Sequence, residues 1–232
     1  MSNLLFDIET DGLNATKIWC IVTIDVDTEE VNAYGPDAIL EGITALSNSS
    51  RLIGHNIIGF DIPTVDRLYG TNLMDKPCHD TLIMSQALQF KRGHKHGLAG
   101  WGEHLGNAKI DFHDWTKFSQ EMLDYCIQDC KVNLDVYKQV KREFIAISKT
   151  NPIIQKGMQV EHAIAKMNTQ MREEGWNFDM DLAIQTKAMF EERMFQIEEA
   201  DREQLRSARH GVGDVVVRLR MERAGHLGPE RW

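Results

Sequence analysis

The segment LLFDIETDGL, residues 4–13, decides which fold is expected for this chain. It opens with the apolar run Leu4–Ile8, which predicts a short buried β-strand. Asp7 and Glu9 lie two residues apart near the end of that strand, so their side chains project from the same face of the sheet. This placement indicates a functional site. The alternative is a solvated acidic pair at a turn.

The segments that follow extend the strand into a sheet. The β-branched run Ile18–Val26 and the segment Glu30–Tyr34 predict two more strands, and Arg51–Gly54 predicts a buried one. Apolar residues recur at helical spacing between residues 39 and 46, and the pattern from residue 60 to residue 147 is mainly helical. This order of elements predicts an α/β fold in which helices flank the sheet.

A second region is expected from residue 151. Ile153 to Arg172 and Asp181 to about Arg206 predict two helices separated by a break, with Asp181 as the N-cap of the second. The last 32 residues hold seven of the thirteen arginines and none of the thirteen lysines. We therefore predict a domain at residues 1–150, a helical hairpin at 151–206 and an arginine-rich tail at 207–232.

Composition excludes some classes of protein. The chain has 232 residues, 42% of them hydrophobic, which is enough for a core, and a formal charge of −9. This charge argues against coating nucleic acid through bulk electrostatics, although a carboxylate site loaded with metal still attracts phosphate. The sequence contains no apolar run of the ~20 residues that a membrane span needs. We expect a cytoplasmic protein with reduced cysteines and no membrane partner.

Three more polar residues accompany the acidic pair. Asp61 follows a predicted strand in an apolar segment, where an isolated charge is costly unless it is paired or bound to metal. Its alternative role is to cap the next helix. Tyr125 and Asp129 lie at i and i+4 on a predicted helix, hence on one face. A structural tyrosine is common at such a position, so only the complete set favours catalysis.

Together these positions resemble the three exonuclease motifs of DEDDy proofreading domains in order and approximate spacing: Asp7-x-Glu9, His55-Asn56 followed by Asp61, and Tyr125-x-x-x-Asp129. Further matches resemble the short-tailed bacteriophage branch of family A DNA polymerases. They are Asp80-Thr81-Leu82, His96-Gly97-Leu98, Met122-Leu123-Asp124-Tyr125 and Gly175-Trp176-Asn177-Phe178-Asp179. The likeness stops near residue 200.

The resemblance implies a ribonuclease H-like exonuclease domain with a mixed sheet, and a hairpin similar to the start of a polymerase thumb. It also implies that Asp7, Glu9, Asp61 and Asp129 bind two divalent cations, while Tyr125 orients the attacking water. Two hard cations activate water and stabilise charge on the scissile phosphate. Oxygen ligands suit Mg²⁺ or Mn²⁺.

Substrate contacts are implied for Thr10, Leu13, Asn56, Phe60 and His96. Leu13 resembles the family leucine that wedges against the terminal bases, and Asn56 resembles an asparagine near the terminal nucleotides. Phe60 either offers an aromatic face to a base or belongs to the core. His96 lies in a basic stretch that either contacts phosphates or is a solvated loop.

The implied function is metal-dependent removal of nucleoside monophosphates from single-stranded or frayed DNA 3′ ends. It corresponds to the proofreading part of a family A DNA polymerase without the polymerase motifs, in a bacterial host or phage-infected cell. One alternative is an RNA-trimming exonuclease of the DEDD superfamily, whose local motifs overlap. The other is a subunit that docks on a separately encoded polymerase.

Overall fold

The computed structural model describes residues 2–175 and 177–224, with side chains described up to residue 203. The chain divides into two compact units, the first ending at Gly175 and the second comprising the rest. Every residue predicted for the site lies in the first unit. None of the helices in the described ranges combines the length and apolar character of a membrane span.

A five-stranded mixed sheet forms the centre of the first unit as described, with the strand order β3-β2-β1-β4-β5. The central strand β1 pairs antiparallel with β2 and parallel with β4. This confirms the predicted α/β fold with a mixed sheet. The strands are β1 Asn3–Thr10, β2 Ile18–Asp25, β3 Val31–Tyr34, β4 Arg51–Gly54 and β5 Cys78–Asp80.

The short edge strand β5 was not predicted. It has only three residues, two of them polar, so it carries no apolar alternation. It forms because β4 offers a free edge, on which the two strands pair in parallel from Leu52 and Cys78 to Gly54 and Asp80. Such pairing depends on tertiary contacts rather than on local pattern.

Helices cover both faces of the sheet. They are α1 Ile39–Asn48, α2 Asp61–Tyr69, α3 Thr81–Leu88, α4 Leu98–Leu105, α5 Gln120–Thr150 and α6 Ile153–Glu174, with a 3₁₀ turn at Leu73–Asp75. Leu5 of β1 packs in one apolar cluster with Val136 of α5, whereas Phe6 and Ile8 pack in another with Ile43 of α1. Since side chains alternate along a strand, the acidic pair of β1 faces α5.

The second predicted region is split between the two units. Helix α6 belongs to the first, and helix α7, Met180–Ala224, belongs to the second. Asp179 rather than Asp181 caps α7, because its Oδ1 accepts the Leu182 N–H at 2.9 Å. Helix α7 continues past the predicted boundary at residue 206, and the end of the predicted tail, residues 225–232, lies outside the described residues. The functional division into three segments stays a prediction.

Asp80 organises the loop that joins β4 to α2. Its buried carboxylate accepts hydrogen bonds from the N–H groups of Asn56 at 3.0 Å and Ile58 at 3.1 Å. The same carboxylate caps α3 by accepting from Leu82 at 3.0 Å and Ile83 at 3.4 Å. One side chain therefore fixes both the loop and the start of a helix.

Helix α6 holds the same loop from the other side. Thr169 donates its hydroxyl proton to the Ile58 carbonyl at 3.0 Å, and Arg172 donates to the Gly59 carbonyl at 2.7 Å. His162 accepts the Asp80 N–H at 2.9 Å through Nε2. Residues beyond 150 thus belong to the framework that positions the start of α2.

We expect Asp80→Ala to lower the free energy of unfolding by about 3 kcal/mol, because four N–H groups that are buried or partly buried lose their acceptor. Urea unfolding followed by circular dichroism measures this change. Asp75→Ala is the matched control, since Asp75 is exposed in the 3₁₀ turn. Equal stability of the two variants would show that the Asp80 carboxylate does not organise the loop.

Candidate active site

The acidic pair of β1 lies beneath helix α5. The two elements are in direct contact, since the Cys126 thiol lies 3.7 Å from the Asp7 carbonyl oxygen. Tyr125 and Asp129 lie one turn apart on α5, on the side that faces the pair. They are close enough that the charge of Asp129 acts on the pKa of Asp7, and that of Glu9 on the pKa of Tyr125. The structure thus brings both predicted groups together.

Asp61 joins this group from α2, where it is the first helical residue and is buried. Its Oδ1 accepts a hydrogen bond from the N–H of Ile8 on β1 at 3.2 Å. That N–H faces no strand, because β4 pairs with β1 only as far as Leu5. The residue at the N-cap position of α2 is Phe60, and Asp61 lies one residue inside the helix. The alternative role of Asp61 as a helix cap is therefore wrong.

Burial and mutual repulsion raise the pKa values of these carboxyl groups. Burial, and then the charge of Asp129, raise the pKa of Asp7 to about 7. Burial, and then the charge of Asp7, raise the pKa of Glu9 to about 10. The pKa of Asp61 also rises well above its ordinary value, mainly through burial. Without cations the cluster therefore retains protons at neutral pH.

Lys109 is a member of the site that the sequence analysis did not select. It lies between α4 and α5, and its Nζ is 2.6 Å from Asp129 Oδ2 and 2.8 Å from the Tyr125 hydroxyl oxygen. Burial raises the pKa of Asp129, and the ammonium of Lys109 opposes that rise. A lone lysine in an irregular segment has no periodicity or spacing that would mark it.

The cluster has the donors that a hard divalent cation requires. Asp129 Oδ1 is buried and has no hydrogen-bond partner among the described residues. Ligand atoms of Asp7, Glu9 and Cys126 lie within 4.8 Å of one another. Burial raises the pKa of Cys126, so it stays a thiol, which is a poor ligand for such an ion. The carboxylates of Asp7, Glu9, Asp61 and Asp129 are the residues that would hold Mg²⁺ or Mn²⁺.

Two predicted substrate residues line one cavity of about 520 Å³. Leu13 is 88% exposed although it is large and apolar, and Phe60, directly before Asp61, is half-buried. Arg67 and Arg172 lie on the wall of the same cavity. An exposed apolar side chain, an aromatic ring and two guanidinium groups suit a nucleotide strand, which presents bases and phosphates.

The other predicted substrate residues differ in their exposure and in their hydrogen bonds. Asn56 is exposed and has a left-handed backbone, with φ of 64°. Thr10 is buried, and its hydroxyl donates to a backbone carbonyl at 2.9 Å. Both ring nitrogens of His96 are engaged, one by Ser85 Oγ at 2.7 Å and one by the Phe90 carbonyl at 3.0 Å. Substrate contact by these three residues stays a prediction.

The family of the chain is shown by comparison with known proteins. A family model for the 3′-5′ exonuclease domain of family A DNA polymerases matches residues 1–145, more than half of the chain. The chain belongs to this family. It is a 3′-5′ exonuclease domain, and the resemblance that the motifs suggested is confirmed.

Two DNA polymerases are related to this exonuclease in sequence. Those of Escherichia phage T7 and Enterobacteria phage T3 are each 26% identical to it over 176 aligned positions, which cover 56% of the chain and 25% of the polymerase. The chain thus spans about a quarter of the length of these relatives. The relationship agrees with the predicted bacteriophage branch.

Solved structures show the same fold. NrnC of Brucella melitensis has a TM-score of 0.58 and 18% identity, covering 78% of this chain and 89% of NrnC. Two further NrnC structures have a TM-score of 0.56 each: one with bound Mg²⁺ at 18% identity and one bound to pGG at 17% identity, both covering 77% of this chain and 90% of NrnC. The Nibbler EXO domain of Aedes aegypti has a TM-score of 0.50 and 13% identity, covering 70% of this chain and 86% of that domain. The exonuclease therefore has the predicted ribonuclease H-like fold.

The raised pKa values predict how the stability of the metal-free exonuclease depends on pH. The pKa of Glu9 rises from 4.5 to about 10 on folding. Above pH 4.5 the Glu9 carboxyl ionises in the unfolded chain but keeps its proton in the folded one. The free energy of unfolding therefore falls as the pH increases towards the folded pKa. We expect Glu9→Gln to raise the free energy of unfolding at about pH 8 by about 2 kcal/mol, because it removes a carboxyl that resists ionisation.

Thermal unfolding in EDTA measures this effect at about pH 4 and about pH 8, where the difference between the proteins should grow with pH. Glu41→Gln is the matched control, since Glu41 is exposed on α1. A Glu9→Gln variant with the parental melting temperature at the higher pH would contradict the prediction.

Proposed function

We propose that this exonuclease removes nucleoside monophosphates one at a time from DNA 3′ ends, with two divalent cations, Mg²⁺ or Mn²⁺, as cofactors. One observation carries the proposal: buried carboxylates converge from β1, α2 and α5, and Asp129 leaves one buried oxygen without a partner in the part of the chain that the structure describes. Such a cluster is unfavourable in a protein that has no cation to bind.

The proposed reaction is hydrolysis of the terminal phosphodiester. Divalent cations bound at this place would supply positive charge to stabilise the phosphate and lower the pKa of the attacking water. Asp7, Glu9, Asp61 and Asp129 would hold the cations, and Tyr125 would orient the water. The Tyr125 oxygen accepts a hydrogen bond from a lysine, so its own proton is free for donation.

Single-stranded or frayed ends are the proposed substrates. The exposed Leu13 and the half-buried Phe60 offer apolar surface against which terminal bases can stack. A paired end must first unstack and unpair before its phosphate reaches the carboxylates, which costs a few kcal/mol. Unpaired ends should therefore react faster.

The preference for DNA rests on the sequence relationship to the phage T7 and T3 DNA polymerases. The fold does not choose between DNA and RNA, because the likeness to NrnC and to the Nibbler EXO domain, at 18% and 13% identity, extends to the fold alone. RNA trimming therefore remains the alternative.

The proposed biological role is proofreading for a family A polymerase region, in the same polypeptide or separately encoded. The chain covers 25% of the matched polymerases, so this role is an extension from the relatives. Helix α7 carries large apolar residues, such as Leu182 and Phe190, that suit contact with a protein partner.

We expect Asp7→Ala to reduce hydrolysis of a single-stranded DNA oligonucleotide by at least roughly 10³-fold, because the loss of a cation ligand removes charge stabilisation in the transition state. The fold should persist, since the change relieves repulsion. Release of nucleoside monophosphates in Mg²⁺ measures the rate. Asp111→Ala is the control, since Asp111 is exposed; parental activity of Asp7→Ala would refute the proposed site.

The substrate prediction uses four oligonucleotides of one sequence, labelled at the 5′ end: single-stranded DNA, matched duplex, duplex with a 3′ mismatch, and single-stranded RNA. We expect single strands and mismatched ends to be shortened from the 3′ end roughly tenfold or more faster than matched duplex. Faster digestion of RNA than of DNA would favour the RNA-trimming alternative. Equal rates on paired and unpaired ends would argue against proofreading.

A further inference from the structure

Lys109 bridges the two groups that α5 contributes to the site. Its Nζ contacts Asp129 Oδ2 at 2.6 Å and the Tyr125 hydroxyl at 2.8 Å, and it lies 4.9 Å from the centre of the Tyr125 ring. Its side chain is 25% exposed, whereas that of Asp129 is 5% exposed. The ammonium is therefore partly desolvated, and its contact with the carboxylate is stronger than a surface ion pair.

The chain fixes the segment before Lys109 onto α5. Gln128 donates hydrogen bonds to the Asn107 side-chain oxygen at 2.7 Å and to the Ala108 carbonyl at 2.9 Å. Asn107 in turn donates its side-chain N–H to Asp135 at 2.8 Å. Two residues that lie two turns apart on α5 thus hold the segment, so the lysine and its partners belong to one rigid frame.

The two oxygens of Asp129 have different surroundings. Oδ2 is bound by the lysine, while Oδ1 is buried without a partner among the described residues. A cation bound by this carboxylate would therefore meet the Oδ1 side. At Tyr125 the lysine donates to the phenol oxygen, so the hydroxyl proton must point elsewhere.

We propose that Lys109 is a positioning residue of the exonuclease: it limits Asp129 to cation binding through Oδ1 and directs the Tyr125 hydroxyl proton towards the attacking water. The inference rests on the proposed function, because it assigns cations to Asp129 and water orientation to Tyr125. It adds a residue that contacts both.

The positive charge of Lys109 distinguishes positioning from simple support of the fold. An ammonium next to Asp129 repels a cation, so its removal should leave metal affinity unchanged or higher even though the geometry for hydrolysis is lost. A residue that only maintained the shape of the site would affect metal affinity and hydrolysis in the same direction.

The test compares Lys109→Met, which retains the length of the side chain, with Lys109→Arg and the parent. Lys131→Met is the matched control, since Lys131 is exposed on α5. For Lys109→Met we expect kcat on single-stranded DNA to fall roughly 10- to 100-fold with KM within about threefold. The Mn²⁺ affinity, measured by electron paramagnetic resonance, should stay the same or rise up to roughly tenfold.

Two further results support the proposal or overturn it. Tyr125→Phe should cost less activity in the Lys109→Met background than in the parent, because the two residues act together. Lys109→Arg should recover part of kcat. Parental kcat in Lys109→Met, or a parallel fall of kcat and Mn²⁺ affinity, would overturn the proposal. An inactive parent would instead reject the proposed function. The Mn²⁺ measurement would still test whether the Lys109 ammonium repels a cation bound at Asp129.

Discussion

The burial of like charges beneath α5 is the constraint on which the rest of the site depends. Asp7 and Glu9 are placed there by the alternation of β1, whose neighbouring residues fill the core on both faces. Two more carboxylates arrive from α2 and α5, and each is compensated differently. Asp61 accepts a backbone N–H, and Asp129 is paired with Lys109. The negative charge that these contacts leave uncompensated is neutralised by protons or by bound cations. Protonation and metal binding are therefore linked.

The position of Asp61 depends on a loop that is held from two directions. The Asp80 carboxylate binds its N–H groups, while Thr169 and Arg172 of α6 bind its carbonyls. The carboxylate cluster therefore depends on a short edge strand and on a helix far along the chain. Helix α6 is part of the nuclease framework, and the region that resembles the start of a polymerase thumb begins by supporting the exonuclease.

The sequence predicted those parts of the site that follow from local periodicity. The period of two along β1 placed Asp7 and Glu9 on one face of the sheet, and the helical repeat placed Tyr125 and Asp129 on one face of α5. Asp61 became a candidate through its apolar surroundings, and only the family motif joined it to the pair on β1, since its hydrogen-bond partner there is distant in sequence. Lys109 was missed because its position is set by hydrogen bonds to α5, which leave no pattern in the chain. Edge strand β5 was missed for a similar reason, because pairing with β4 creates it.

The central claim is that the clustered carboxyl groups hold protons until cations replace them. Calorimetric titration with Mn²⁺ at about pH 7, repeated in buffers with different ionisation enthalpies, counts the protons released on binding. Since the pKa of Asp7 is about 7 and that of Glu9 is about 10, the account predicts binding of two ions and release of at least one proton per chain. Binding without proton release, or no binding at millimolar Mn²⁺, would contradict it.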